Sequence, residues 1–391
     1  MKRFLALLLG AAVTGSSGGA AGAATPSGTQ PANYDAFGIK ALRRLSASAP
    51  GENVFISPLS IGVALAMASE GATGATRTAL LQTLDIPASD VSQRNAALLN
   101  AIRSNQDAQI GVANAIWLRQ DIPPASAYVD KLQHDYGAQA QAVRFGDPSA
   151  AQVINAWTKS HTMDLIDRIV DHTNSYDFAY LTNALAFEGK WALPFKPNAT
   201  HPAAFTDAAG ATRNVDMMTN TATYGELDGS GFRAVRLPYG KGGYAAYVLL
   251  PNDRDANALL GRLDAQSFAG IAQSMRNVRL QLSLPRFTAS YNTSLVPVLR
   301  AMGAEVAFSD AADFSAMHPP PPQLRISSVR HASYVRVDEA GTVAAAATSV
   351  GISMTAIEVP QVRFVVDHPF VFAIRDEHTG TLLFIGIVNT V

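Results

Sequence analysis

Glu339-Ala340-Gly341-Thr342-Val343-Ala344-Ala345-Ala346-Ala347-Thr348-Ser349-Val350-Gly351-Ile352-Ser353-Met354-Thr355-Ala356-Ile357-Glu358 is the stretch from which the chain is best read. Between the two glutamates there is no charge and no proline. Thr342, Ala344, Ala346, Thr348, Val350, Ile352 and Met354 share one parity. Val343, Ala345, Ala347, Ser349, Gly351, Ser353 and Thr355 share the other. From Thr348 onward one parity is apolar and the other small or polar, the period-two pattern of a strand with one buried face. The flanks have loop chemistry, with Gly341 on one side and Val359-Pro360 on the other. A strand-competent segment in a loop position has two available homes, one exposed and one inside a sheet.

The chain has 391 residues, 48% hydrophobic and 16% charged, with a net charge of −1. This composition argues for a large core, and against disorder, nucleic-acid binding or an anionic membrane surface. Met1 to Ala23 has the form of a secretory leader: Lys2 and Arg3, an apolar run from Phe4 to Val13, and Ala21-Gly22-Ala23 as the cleavage site. The run is short for a membrane span, although a retained anchor is the alternative. Cleavage near Ala23 implies a secreted or periplasmic protein. The chain has no cysteine, which excludes disulfides and thiol catalysis.

Residues 24–33 read as a linker and 34–391 as one domain. Helical spacing covers Tyr34 to Leu45, and Ser57-Pro58 opens a second helix. Ile154 to Val170 reads as one amphipathic helix through Ile154, Trp157, Leu165, Ile166 and Ile169. Ala245 to Leu250 reads as a strand buried on both faces, and Gly240-Lys241-Gly242-Gly243 as a hairpin turn rather than a phosphate loop. Val278–Leu284, Ser333–Asp338 and Leu382–Val388 read as alternating strands. Helices early and strands late make the class α+β. His318-Pro319-Pro320-Pro321-Pro322 reads as a rigid spacer. No HExxH and no GxSxG elbow lies in the domain, so neither a metal nor an enzymatic site is expected. A triad assembled from distant residues is the competing reading.

The chain resembles a serpin from Tyr34 to Asn389. The resemblance rests on Asn53-Val54-Phe55-Ile56-Ser57-Pro58-Leu59-Ser60, Gly71-Ala72-Thr73-Gly74-Ala75-Thr76, Asn114-Ala115-Ile116-Trp117 and Ile154-Asn155-Ala156-Trp157. It continues through Thr182-Asn183-Ala184-Leu185-Ala186-Phe187-Glu188-Gly189-Lys190-Trp191, Met217-Met218, Leu284-Pro285-Arg286-Phe287 and Asp367-His368-Pro369-Phe370-Val371-Phe372. It implies a bacterial-type secreted member with three β-sheets, eight or nine α-helices and an exposed reactive-centre loop at about 340–360. It also implies a monomer that takes no cofactor and whose partner is a target serine protease.

The resemblance further implies a hinge over Glu339, Gly341, Thr342, Val343, Ala344, Ala345, Ala346, Ala347 and Thr348. A breach at the top of the central sheet would use Trp191, Arg286 and Glu339, the last two as an ion pair. A shutter lower down would use Phe37, Ser57, Ser60, Asn183 and His331. Family spacing places the scissile bond at Thr355–Ala356, with Met354–Thr355 as the competitor. Without Lys or Arg in the loop, elastase-, subtilisin- or chymotrypsin-like proteases fit better than trypsin-like ones. The implied activity is suicide inhibition by cleavage, acyl-enzyme trapping and loop insertion; a non-inhibitory carrier, chaperone or protease substrate is the alternative. The chain departs from the family pattern at Ala340 and Val343, where acidic residues are usual, at Asp164 in a glycine position, and at Gly386-Ile387-Val388, which lacks an arginine. No basic helix over 76–105 suggests a glycosaminoglycan activator. Asn198-Ala199-Thr200 and Asn292-Thr293-Ser294 fit the glycosylation pattern.

Overall fold

Helices gather at the start of the chain because its apolar residues recur there at helical spacing, and strands take over where they alternate or run on. A computed structural model describes residues 30–342 and 362–391. Its first third contains α1 (Asp35–Ser48), β1 (Val54–Ile56), α2 (Pro58–Gly71), α3 (Gly74–Leu84), α4 (Val91–Ser104), β2 (Gln109–Arg119) and α5 (Ser126–Lys131). Next come β3 (Gln139–Val143), α6 (Pro148–His161), β4 (Ala179–Lys190), β5 (His201–Thr206), β6 (Thr212–Gly229), β7 (Phe232–Tyr239) and β8 (Tyr244–Pro251). Then follow α7 (Ala256–Arg262), α8 (Ala265–Ser274), β9 (Arg276–Pro285), β10 (Phe287–Ser294), α9 (Val296–Leu299) and β11 (Ile326–Val337). The last strands are β12 (Gly341–Thr342), β13 (Val362–Val365), β14 (Phe370–Asp376) and β15 (Leu382–Val388).

One sheet has six strands in the order β10-β11-β12-β4-β2-β3. Nine further strands form two sheets that share the long strand β6. Early β6 pairs with β5 and β9, its end pairs with β7, and β13 lies on the far side of β9. The smaller sheet is therefore β5-β6-β9-β13, and the other runs β7-β8-β14-β15-β1. Three sheets and nine α-helices among the described residues match the expected α+β class.

Helix α2 is buried on nearly every face because it packs against β2 and β4 of the six-stranded sheet and against β15 of another. Its start follows the sequence closely: the Ser57 side chain accepts from the Ser60 amide at 3.0 Å, and Pro58 fills the first helical position. Tyr239 and Tyr244 flank the glycine-rich hairpin, as expected. β15 is buried on both faces rather than alternating, because it lies between β1 and β14 beneath α2.

The long helix expected over Ile154–Val170 is corrected by the structure. α6 ends at His161, and Met163 and Asp164 adopt left-handed backbone with φ of 54° and 58°. Leu165, Ile166 and Ile169 therefore belong to a non-helical strap. Ile166, Ile169 and Val170 are buried with Ile154, Trp117 and Ala184. The Asn155 side chain ties down the strap, accepting from the amides of Ile169 and Val170 at 2.9 and 3.0 Å and donating to the Val170 carbonyl at 2.8 Å. The apolar spacing reported a buried face correctly but could not tell a helix from a strap crossing the same sheet.

The same backbone explains Asp164 in a glycine position. Left-handed backbone costs a β-carbon-bearing residue about 1–2 kcal/mol, and aspartate tolerates it better than most. Asp164→Gly should leave stability unchanged or slightly raised, whereas Asp164→Val should lower it by about 1–2 kcal/mol in urea unfolding. Equal effects of the two substitutions would refute this account.

Candidate functional site

Midway along the six-stranded sheet, β11 and β4 pair in parallel from Ile326–Ala179 to Tyr334–Ala186. His331 lies opposite Asn183 in that ladder, and both are fully buried. The Ser57 amide donates to His331 Nε2 at 3.2 Å. Nε2 is therefore the acceptor, and the proton sits on Nδ1, which donates to Asn183 Oδ1 at 2.6 Å. Asn183 in turn donates to the Arg330 carbonyl at 2.9 Å. Ser60 donates to Asn114 Oδ1 at 3.1 Å, and Ser333 donates to the Phe55 carbonyl at 2.6 Å. Every member is buried, so each bond is strong and each loss leaves an orphaned polar group. Burial pushes His331 down to about 3 and keeps it neutral.

Ser57, Ser60, Asn183 and His331 are thus brought together as expected. Phe37 is buried in the main core without a hydrogen-bonding role. Asn114 and Ser333 also belong to the cluster, although the sequence placed them in a motif and a strand without assigning them to the shutter. A lone asparagine within the apolar strand Val112–Leu118 was the available signal.

At the top of the sheet the chain reverses at the end of β11. Asp338 Oδ1 accepts from the amides of Ala340 and Gly341, and the Asp338 amide donates to the Gly341 carbonyl at 2.9 Å. This turn feeds β12 into the gap between β11 and β4: Thr342 pairs with Val337 on one side and Gly189 on the other, and Gly341 pairs with Lys190. A β-carbon on Gly341 would collide with the Gly189 carbonyl, so only glycine fits. The expectation of an exposed loop from about 340 is corrected here, since Gly341 and Thr342 are buried. The sheet stays unpaired between β11 and β4 above Tyr334, and the two residues fill that wedge.

Thr342 meets the Tyr239 hydroxyl at 2.6 Å. Tyr239 stacks on Trp191, with ring centroids 4.4 Å apart, and Trp191 Nε1 donates to the Asp338 carbonyl at 2.9 Å. The Phe195 amide holds the Glu339 carbonyl at 2.9 Å. Arg286 grips the Glu339 carboxylate from Nε at 2.8 Å and Nη2 at 2.5 Å, and reaches Asp216 at 3.1 Å. Thr200 also donates to Glu339. Burial alone would raise the Glu339 carboxyl, but Arg286 and Thr200 together hold it below its usual value. The Glu339 side chain is 10% exposed and that of Arg286 is 42% exposed. Removing Arg286 should cost roughly 1–3 kcal/mol, moderated by that partial exposure. The pair is therefore stronger than an ordinary surface contact. Trp191, Arg286 and Glu339 converge as expected; Tyr239 and Thr200 had no sequence signal and come from other strands and turns.

Val343, Ala344, Ala345, Ala346, Ala347, Thr348, Met354, Thr355 and Ala356 lie outside the described residues. Among the described residues no cluster of side chains could hold a metal, and no helix is long and apolar enough to cross a membrane.

A family model described as Serpin (serine protease inhibitor) matches residues 32–391. Iripin-2 of Ixodes ricinus is 33% identical over 367 residues, covering 90% of this chain and 91% of that protein. An uncharacterized serpin-like protein of Thermococcus kodakarensis is 33% identical over 343 residues, covering 85% and 80%. The thermophilic serpin Tengpin in its native state is 30% identical with a TM-score of 0.85, covering 92% of this chain and 94% of that one. Human thyroxine-binding globulin, at 23% identity and a TM-score of 0.85 over 91% and 97%, shares the fold. These relatives do not support the bacterial-type secreted assignment.

Two outcomes follow from this geometry. Below its unfolded value of 6.5, the unfolded chain binds a proton at His331 that the native state refuses until about 3. Stability should therefore fall as pH drops through that window, by about 1.4 kcal/mol per unit and about 2 kcal/mol by pH 5. His331→Asn should remove this slope in urea unfolding, and an unchanged slope would count against the buried neutral imidazole. Tyr239→Phe leaves the Thr342 hydroxyl unpaired at a cost of about 1–2 kcal/mol. Hydrogen exchange over 338–342 should then quicken about tenfold, and no change would rule out the docking role.

Proposed function

Because the chain belongs to the serpin family, we propose that it is a suicide inhibitor of serine proteases whose next step is already begun in the uncut state. The observation that carries this reading is β12, two residues of the loop base seated between β11 and β4. Continuing that insertion means parting the β11–β4 ladder rung by rung, and His331–Asn183 is one of those rungs. The latch supplies a barrier, and the pairing that an added strand would gain on both sides supplies the driving force, so the uncut protein is held kinetically.

The protease serine attacks the Thr355 carbonyl, the acyl bond forms, and Ala356 departs as a free amine. Residues 343–355, freed at one end, follow Thr342 into the sheet and draw the acylated protease with them. Insertion supplies main-chain hydrogen bonds along both neighbours, the general logic of strand addition. The run from Val343 to Ala347 carries no charge that would have to be buried and no proline that would break the ladder. Val350, Ile352 and Met354 add apolar area at about 1.5–3 kcal/mol each when buried. The targets are elastase-, subtilisin- or chymotrypsin-like. We place the protein outside the cytoplasm as a monomer after cleavage near Ala23. The carrier or chaperone reading shares the fold and is separated by the experiment below.

Incubation with elastase or subtilisin should give a covalent complex that survives denaturant, and a released peptide beginning at Ala356. Clipped protein should melt well above intact protein. Thr342→Arg places a charge at a fully buried position beside Tyr239. That variant should be cut without trapping the protease. Full inhibition by Thr342→Arg, or clipping of the parent chain with no covalent complex and no thermal shift, would overturn the proposal.

A further inference from the structure

The smaller sheet has one face that the inhibitory reading does not use. Leu280, Leu282 and Phe364 point inward and are fully buried, so the alternate residues of β9 and β13 must point out. Those residues include Arg279, Gln281 and Ser283 on β9 and Arg363 and Val365 on β13. Thr221, Gln281 and Arg363 form one rung, and Ser283 and Val365 the next. Arg279, Arg363 and Val365 are exposed, Val365 at 41%. No carboxylate stands at these positions. By contrast, Arg233 and Arg236 nearby are tied to Glu226 and Glu377 at 2.9 Å each. A chain with a net charge of −1 thus concentrates two cations, hydroxyls and an apolar residue on one flat face.

The position of this face identifies its occupant. β13 begins at Val362, six residues beyond Ala356. Six extended residues reach at most about 20 Å, whereas a protease domain of ordinary size is roughly 40 Å across. An enzyme closed on Thr355–Ala356 is therefore kept beside β13 by a tether shorter than itself, within reach of that strand's outer face. We infer that Arg279, Arg363 and Val365 form a second contact surface for the target protease, selecting enzymes with an acidic rim beside the substrate cleft. This inference rests on the inhibitory reading and adds a partner chemistry to it: the loop supplies the bond, and this face supplies the encounter. Charges at a rim act mainly on association rate and lose their effect in salt.

The test is the second-order rate of covalent-complex formation for the parent chain, for Arg279→Glu/Arg363→Glu and for Arg279→Gln/Arg363→Gln. The probes are elastase- and subtilisin-like proteases grouped by acidic or basic surface. Against acidic proteases the charge reversal should slow the rate about tenfold at about 50 mM salt, with the glutamine variant intermediate. The difference should nearly vanish at about 500 mM salt. Proteases of basic surface should not be slowed, and the stoichiometry and the thermal shift on clipping should stay as in the parent. Equal slowing of both groups, slowing that salt does not relieve, or unchanged rates would overturn the contact surface while leaving the inhibitory reading intact. Absence of any covalent complex with the parent chain would instead remove the inhibitory reading and this surface with it.

Discussion

His331 and Asn183 face each other across the line along which the six-stranded sheet would have to part, and a single 2.6 Å hydrogen bond joins them. Below the wedge, β11 and β4 behave as neighbours; at the top, β12 separates them. The sheet is thus closed by the β11–β4 ladder with this polar bond in its middle, and β12 occupies the wedge at its rim. The other features of the site act to preserve that arrangement. Ser57 fixes the imidazole tautomer while capping α2, so the helix start and the latch share one residue. The Arg286–Glu339 pair and the Trp191–Tyr239 stack hold the turn that leads into β12.

Polar groups suit this role better than apolar ones. An apolar seam between β11 and β4 would part gradually, with a cost proportional to area. Buried hydrogen bonds resist until they break, and breaking one leaves unsatisfied groups on both strands. The latch is therefore closer to all-or-none than an apolar seam would be. The top of the sheet works differently. There Gly341 lets its backbone approach that of Gly189, Gly189 leaves room for the Phe187 and Tyr239 rings, and the Thr342 hydroxyl is paired with that of Tyr239.

Much of this was legible in the chain. The Ser57-Pro58 helix start and the apolar strand Ala245–Leu250 each state their role through local chemistry. The shutter and breach residues were legible only through family resemblance, because residues as distant as Ser57, Asn183 and His331 have no local pattern in common. Asp164 was visible as an anomaly and explained only by its backbone angle. The helix expected through Val170 failed because a 3.6-residue apolar repeat records burial of one side and not hydrogen bonding. Left-handed residues at Met163 and Asp164 carry no decisive signature of their own.

The sequence by itself determined the class of the fold, the positions of β8, β9, β15 and the end of β11, and an uncharged, proline-free run after Glu339 with strand periodicity. These follow from periodicity and from residue types that act within a few positions of one another. Only the tertiary structure decided that Gly341 and Thr342 sit between β11 and β4, which hydroxyl meets Thr342, and which bonds close the sheet beneath them. Those are contacts between residues 100 or more positions apart, such as Tyr239 with Thr342 and Asn183 with His331. Their geometry is set by how β4, β7 and β11 pack together, which no window of the sequence contains.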